Sequence, residues 1–237
     1  MNNPWMNLPA FGNGPYILPE DRCHIDNFNK NCKAEHKIVT NLTPEPWLGP
    51  VKTARLVVLQ LNPRYDEEAK GEPNKEKHLG LSTLDGPHWG LSSGKGWWTT
   101  CFNRIAIAIG DKLFHEFSRD ERRTAAYKFL QTRVCSIEYF PYGSKNFAHE
   151  KVNVPSREYS IALVKEALER RPYIVVLKGY SLWLKAVPGL KNHHERLKNV
   201  GERYIGYGAR HITQFGCGDE FFNAIVDCLV QTNAPCS

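Results

Sequence analysis

One stretch constrains this chain more than any other: Arg55-Leu56-Val57-Val58-Leu59-Gln60-Leu61, an aliphatic and β-branched run that stops at Asn62-Pro63. Such a run bounded by a turn signal reads as a buried strand feeding a rigid loop. Pro63 fixes its own φ and has no N–H to continue a ladder. In open α/β sheets, ligands sit beyond the carboxyl ends of the strands. Asn62 therefore offers an uncharged amide where chemistry is expected, with Arg64, Tyr65 and Asp66 behind it. The competing role for Asn62 is a turn residue that bonds its own backbone.

From residue 55 onward the chain alternates. Strand-like segments at 55–61, 133–140 and 172–177 and at 209–214 are separated by helix-like segments at about 98–109, 119–131, 157–170, 180–187 and 220–231. Ser118 and Glu121 have the spacing of a capping box at the start of the second helix, and Asp219 is a candidate cap of the last. Strands separated by helices imply a parallel sheet covered on both faces. The expected fold is a three-layer α/β/α domain around a central, mainly parallel four-stranded sheet. Residues 66–96 are polar, Gly-rich and too long for an ordinary connection, which marks them as functional. Residues 1–50 are rich in Pro, Asn and Gly. Their prolines argue against long helices and central strands, while Trp5, Phe11, Tyr16, Phe28 and Trp47 suggest an arm packed on a single body of residues 51–237.

The charge, 31 Lys+Arg against 25 Asp+Glu, permits a polyanionic partner without requiring one. No apolar run approaches the ~18 residues that span a bilayer, and the N-terminus has no secretory pattern. These features set the expectation of a cytoplasmic, monomeric protein with no membrane association. Seven cysteines without a CxxC pair read as free thiols of a reducing compartment, Cys101, Cys135 and Cys228 among them. Cys23, His24, Cys32 and His36 are metal-ligating residue types, but their spacing is wider than a zinc knuckle, so no metal and no cofactor are expected.

The contents of the strand exits decide the chemistry. They are Gln60 to Asp66, Glu138 to Tyr142, Lys178 to Tyr180, and His211 to Gln214. Amide, carboxylate, lysine, imidazole and aromatic faces together suit a flat heteroaromatic ligand. There is no Walker loop, no GxGxxG opening a helix, and no GxSxG elbow.

The strand ending in Leu61-Asn62-Pro63 resembles the first motif of the uracil-DNA glycosylase superfamily, whose mismatch-specific and single-strand-selective members end their first strand in Asn-Pro. Phe140-Pro141 follows the second strand, where the family stacks an aromatic on the extruded base. The run from Gly94 to Trp98 precedes a helix, as in distant relatives. Lys178 ends the third strand, where the family reads the base edge, often with Asn. His211 lies late in the chain. The resemblance spans about residues 50–232. Arg64 stands where the family has Gly or Tyr, and the family's late His-Pro-Ser wedge has no clean match, since Ile212 and Thr213 follow His211. Uracil, a mismatched base, or a modified base such as the glucosylated hydroxymethylcytosine handled by anti-phage members all remain open as substrates, in repair or antiviral defence.

What the resemblance implies is hydrolysis of an N-glycosidic bond in DNA, after the nucleotide is extruded from the stack. Asn62 would position the attacking water. Asp66 or Glu138 would support the sugar cation, and His211 the departing base. Gln60, Arg64, Tyr65, Phe140, Tyr142 and Lys178 would contact the base. Lys95, Trp97, Trp98, Ser144 and Lys145 would contact DNA. Each has a structural alternative: Asp66 as a cap, Glu138 facing solvent, His211 as an ordinary strand histidine, Trp97 and Trp98 as helix-start packing. Two other functions fit the same scaffold. One is a non-catalytic nucleic-acid-binding module. The other is an enzyme acting on a nucleoside or nucleotide, in which the 66–96 segment would bury the pocket as a lid rather than expose Lys70, Lys75, Lys77 and Lys95 along a groove.

Overall fold

A computed structural model describes residues 2–63, 73–91, 96–200, 212 and 217–231. Its centre is β2 (Leu56–Gln60), buried at every position. β2 pairs in parallel with β3 (Val134–Glu138) on one side and β4 (Tyr173–Val176) on the other. β5 (Leu197–Asn199) adds in parallel to β4, and the two-residue β1 (Trp47–Leu48) pairs antiparallel with β3. The order is β1-β3-β2-β4-β5. The sheet thus has five strands rather than the four expected, with a mainly parallel core.

Strand parity sends side chains to two layers. Val57, Leu59, Cys135, Ile137, Ile174 and Val176 face one core, shared with α1 (Pro19–Asn31), α5 (Ser156–Glu169) and Trp183 of α6 (Tyr180–Ala186). Leu56, Val58, Val134 and Val175 face the other, shared with α3 (Trp97–Leu113), α4 (Arg119–Gln131) and α7 (Asp219–Val230). Phe222, Ile225, Val226 and Leu229 of α7 recur at helical spacing and are all buried. The capping box forms at α4, where the Ser118 N–H donates to Glu121 Oε2 at 3.1 Å. At α7 the cap is Gly218, and Asp219 is already helical.

The N-terminal arm departs from expectation in one respect. It contains α1, a helix of 13 residues. Pro19 is its first residue, where a missing N–H costs nothing, and no further proline follows until Pro44. Trp5, Tyr16, Ile17, Leu18 and Ile25 are buried in the first core. A short helix, α2 (Lys75–Gly80), occupies the long connection.

The fourth parallel strand is β5, not 209–214. Its residues Leu197-Lys198-Asn199 carry one apolar side chain and too little pattern to announce a strand. Of the 209–214 segment only Ile212 is described; it is buried, and its N–H donates to Cys101 O at 3.1 Å. Cys23, Cys32, Cys101 and Cys135 are free thiols, whereas Cys228 takes part in a disulfide, against the expectation of a reduced thiol. Among the described residues no helix is long and apolar enough to cross a membrane, and no group of three or more His, Cys, Asp or Glu side chains is placed to share an ion.

Candidate active site at the carboxyl edge of the sheet

Topology points to one crevice. The chain leaves β2 toward β3 on one side, and leaves β4 toward β5 on the other. The switch point lies between β2 and β4, where open α/β sheets bind their ligands. The two exits that flank it are Leu61-Asn62-Pro63 and Leu177-Lys178-Gly179. Gly179 has φ +73, and a Cβ there would sit 2.9 Å from Leu61 Cδ1. Only glycine lets the two turns approach this closely.

The Asn62 turn is tied at every step. Gln60 O accepts from Tyr139 N at 3.1 Å and from Trp183 Nε1 at 2.8 Å. Leu61 O accepts from Phe140 N at 2.9 Å, and Pro63 O from Ser144 N at 3.3 Å. The amide orientation follows from its partners. Asn62 Nδ2 donates to Pro63 O at 3.1 Å and to Ser144 Oγ at 3.0 Å. Ser144 Oγ spends its own proton on Asn146 O at 3.2 Å, so it accepts from Asn62. Both amide protons are thereby used inside the fold. Among the described residues nothing donates to Oδ1, which leaves the acceptor end of a fixed carboxamide at the crevice. This is the group and orientation that would hold a water molecule.

Glu138 is the second element. It lies opposite Gln60 in register, and both are buried. Its Oε2 has no hydrogen-bond partner among the described residues. Burial pushes its carboxyl up to about 8, against the pull of the Lys178 and Lys77 cations. At neutral pH it is mainly a protonated acid. The expectation of an ionised carboxylate supporting a sugar cation gives way to that of a proton donor.

Lys77 is the third, and sequence reasoning placed it wrongly, in an open groove. It is buried, ion-paired with Glu45 and set 5.1 Å from the Trp89 ring centroid. Burial holds its amine down to about 7, with Glu138 pulling the other way. The Glu45–Lys77 pair joins residues 32 positions apart, with no local motif to reveal it.

Four expected contacts are corrected. Phe140 and Tyr142 are wholly buried and present no face to a base. Phe140 packs against His149 at 4.2 Å. The Tyr142 hydroxyl donates to Asp21 Oδ2 at 2.7 Å and accepts from Leu18 N at 3.1 Å, which ties the arm to the body. Ser144 is buried and orients Asn62 instead of holding a phosphate. Trp98 lies in the core beneath the site, stacked on Phe102 and set edge-on to His88 at 4.9 Å. His88 Nε2 in turn meets Ser136 Oγ at 3.2 Å, two residues before Glu138 on the same strand. Burial keeps the His88 imidazole neutral, down to about 3.

Gln60, Asn62, Glu138 and Lys178 are brought together as expected, with Lys178 exposed at the rim and close enough to act on Glu138. Lys145 is exposed directly after Ser144, and Trp97 is 38% exposed on α3. Arg64, Tyr65, Asp66, Lys95 and His211 lie outside the described residues. Comparison of the chain with protein-family models, with curated proteins and with solved structures finds no match, and the reading of the site rests on its own geometry.

Proposed function

We propose that this protein is a hydrolase of N-glycosidic bonds that acts on a base extruded from DNA. The observation that carries the reading is the Asn62 carboxamide. Both of its protons are bound by Pro63 O and Ser144 Oγ, and its Oδ1 is left to accept from a water at the switch-point crevice. A carboxamide is too weak a base to deprotonate water. It serves a reaction in which the leaving group departs ahead of attack and the water needs only to be in place. The protonated Glu138 supplies the complementary function, a proton for the departing base. Lys178 at the rim adds a cation where negative charge develops on that base.

The strand order β3-β2-β4-β5, with Asn-Pro closing the central strand, agrees with the likeness to uracil-DNA glycosylases noted in the sequence. Base extrusion requires a stacking surface, and the loss of Phe140 and Tyr142 from that role leaves Tyr65 as its candidate.

A second reading has an observation of its own. Lys77 is enclosed rather than displayed along a groove, which is what a nucleoside- or nucleotide-acting hydrolase with a covered pocket would show. The experiment that tests both incubates the protein with oligonucleotides carrying uracil, mismatched, alkylated or glucosylated bases, and in parallel with the free nucleosides and nucleotides. Mass spectrometry then identifies any released base. Release from DNA alone supports the first reading; release from monomers alone supports the second; release from neither removes both.

A further inference from the structure

The buried pair formed by Lys77 and Glu138 exceeds what base hydrolysis needs. Water positioning uses Asn62, and one proton donor uses Glu138. A desolvated amine next to that donor has no task in the reaction. Its place is also fixed with unusual care. Asn74 Oδ1 caps α2 by accepting from the Lys77 N–H at 2.8 Å. Thr43 Oγ1 accepts from Asn74 N at 3.2 Å. The N-terminal arm straps the same helix: Asn3 Nδ2 donates to Leu81 O at 2.7 Å, and His78 Nε2 meets Pro9 O at 2.8 Å. The rings of Phe11 and Tyr16 close on His78 at 5.8 and 5.7 Å.

The groups facing the Lys77 amine are the Glu45 carboxylate, the Trp89 ring and Glu138. Glu138 offers an oxygen with no partner among the described residues. A lysine desolvated beside a proton donor is the arrangement that lets an amine condense with a carbonyl carbon.

We propose that Lys77 is a nucleophile toward the aldehyde of an abasic deoxyribose and that, with Glu138, it cleaves the DNA strand on the 3′ side of that sugar. The inference rests on the reading of the site as one that binds a nucleotide of DNA. The neutral Lys77 amine adds to C1′ of the ring-opened sugar, forming a C–N bond as one amine proton passes to the oxygen. Glu138 gives its proton to the resulting hydroxyl, which leaves as water, and a protonated imine remains. The Glu138 carboxylate then removes a C2′ proton. The electron pair forms the C2′–C3′ double bond through the enamine, and the C3′–O bond breaks with its electrons leaving on the phosphate. Water hydrolyses the unsaturated imine and returns Lys77. Burial holds the amine near neutrality at physiological pH, which supplies the neutral form that the first step requires.

The test uses the full chain and an oligonucleotide carrying a preformed abasic site, with sodium cyanoborohydride to reduce any imine. The expected result is a covalent protein–DNA adduct whose peptide map places the sugar on Lys77. That adduct is lost in Lys77→Arg, which keeps the cation and its pairing with Glu45 but forms no such imine. An adduct absent from the wild type, mapped to another amine, or undiminished in Lys77→Arg overturns the proposal. Mapping on the wild type needs no variant to fold. Because the abasic site is preformed, the result is separate from base excision. A Lys77 adduct without base release upholds this inference and removes the glycosylase reading, whereas base release without an adduct does the reverse.

Discussion

Asn62 Nδ2 donates to Ser144 Oγ at 3.0 Å, a bond between residues 82 positions apart. It joins the loop after β2 to the loop after β3 and decides which end of the Asn62 amide faces the crevice. Without it the amide retains only its bond to Pro63 O, and rotation of the side chain is restrained at one point instead of two.

Ser144→Ala tests this directly. The substitution removes the acceptor and leaves Asn62 its own oxygen and Pro63 as anchors. Base release should fall about 10–100-fold, as expected when a water-holding group loses orientation. DNA affinity should hold. Removing one neutral hydrogen bond should cost about 1 kcal/mol of stability. Steady-state rates, binding titrations and a thermal melt check the three parts.

Asn62→Ala removes the acceptor itself. Base release should drop by about 10²–10⁴-fold, the range for a positioned catalytic group, with DNA binding unchanged. Asn62→Asp is the sharper variant, because a carboxylate cannot donate to Pro63 O and the turn loses an anchor. Turnover by Asn62→Ala at the wild-type rate would remove Asn62 from the mechanism.

Much of this arrangement was legible in the sequence because it is local. The burial of β2, the Asn-Pro stop and the Ser118–Glu121 box are each written within a few residues. Strand parity even places Gln60 and Glu138 on the same face once their strands are known to be adjacent. What was not legible depends on distance. Phe140 and Tyr142 lie just past a strand end, where parity no longer applies, and they turn inward because α1 and the arm cover that face. Lys77 reads as a surface lysine of a polar helix; only Glu45, on the far side of β2 in sequence, shows that it is buried. The role of Ser144 requires knowing that two loops meet.

Tyr142→Phe separates scaffold from site. The hydroxyl bonds Asp21 Oδ2 and Leu18 N in a region with no exposure. Its loss leaves a buried N–H and a carboxylate oxygen short of a partner, at a cost of about 1–3 kcal/mol. The melting temperature should fall by about 2–4 °C for each of those kcal/mol in a chain of this size. The kcat for base release, measured well below the melting temperature, should not move. A changed KM for DNA at unchanged stability would restore Tyr142 to the binding surface.

Glu138 should set the alkaline limb of activity. Its carboxyl is raised from the ordinary 4.5 to about 8 by burial, so it donates a proton below that pH and not above. Base release should decline as pH rises through about 8, and Glu138→Gln should abolish the limb together with most of the rate. Lys178 lowers the Glu138 value, so Lys178→Ala should move the limb to higher pH. Stability follows the same sign. The folded state binds this proton more tightly than the unfolded chain does, so its contribution is complete below about 4.5 and is lost as pH rises through 8. Glu138→Gln should therefore melt higher than wild type at pH 8.5 relative to pH 4. A pH–rate profile with no alkaline limb in the wild type would dismiss Glu138 as the donor.

Lys145 offers a test of the DNA reading that does not depend on chemistry. It is exposed directly after Ser144, the residue that orients Asn62, so a strand placed with its sugar over Asn62 passes within reach of this cation. Phosphate contacts release counterions, and affinity then falls with salt along a slope set by their number. Lys145→Ala should weaken binding to all sequences alike and reduce that slope by about 1. Fluorescence anisotropy on single- and double-stranded oligonucleotides from 50 to 200 mM salt gives the slopes. A slope identical to wild type would place the strand elsewhere, and a flat profile for the wild type would favour a free nucleotide as the substrate.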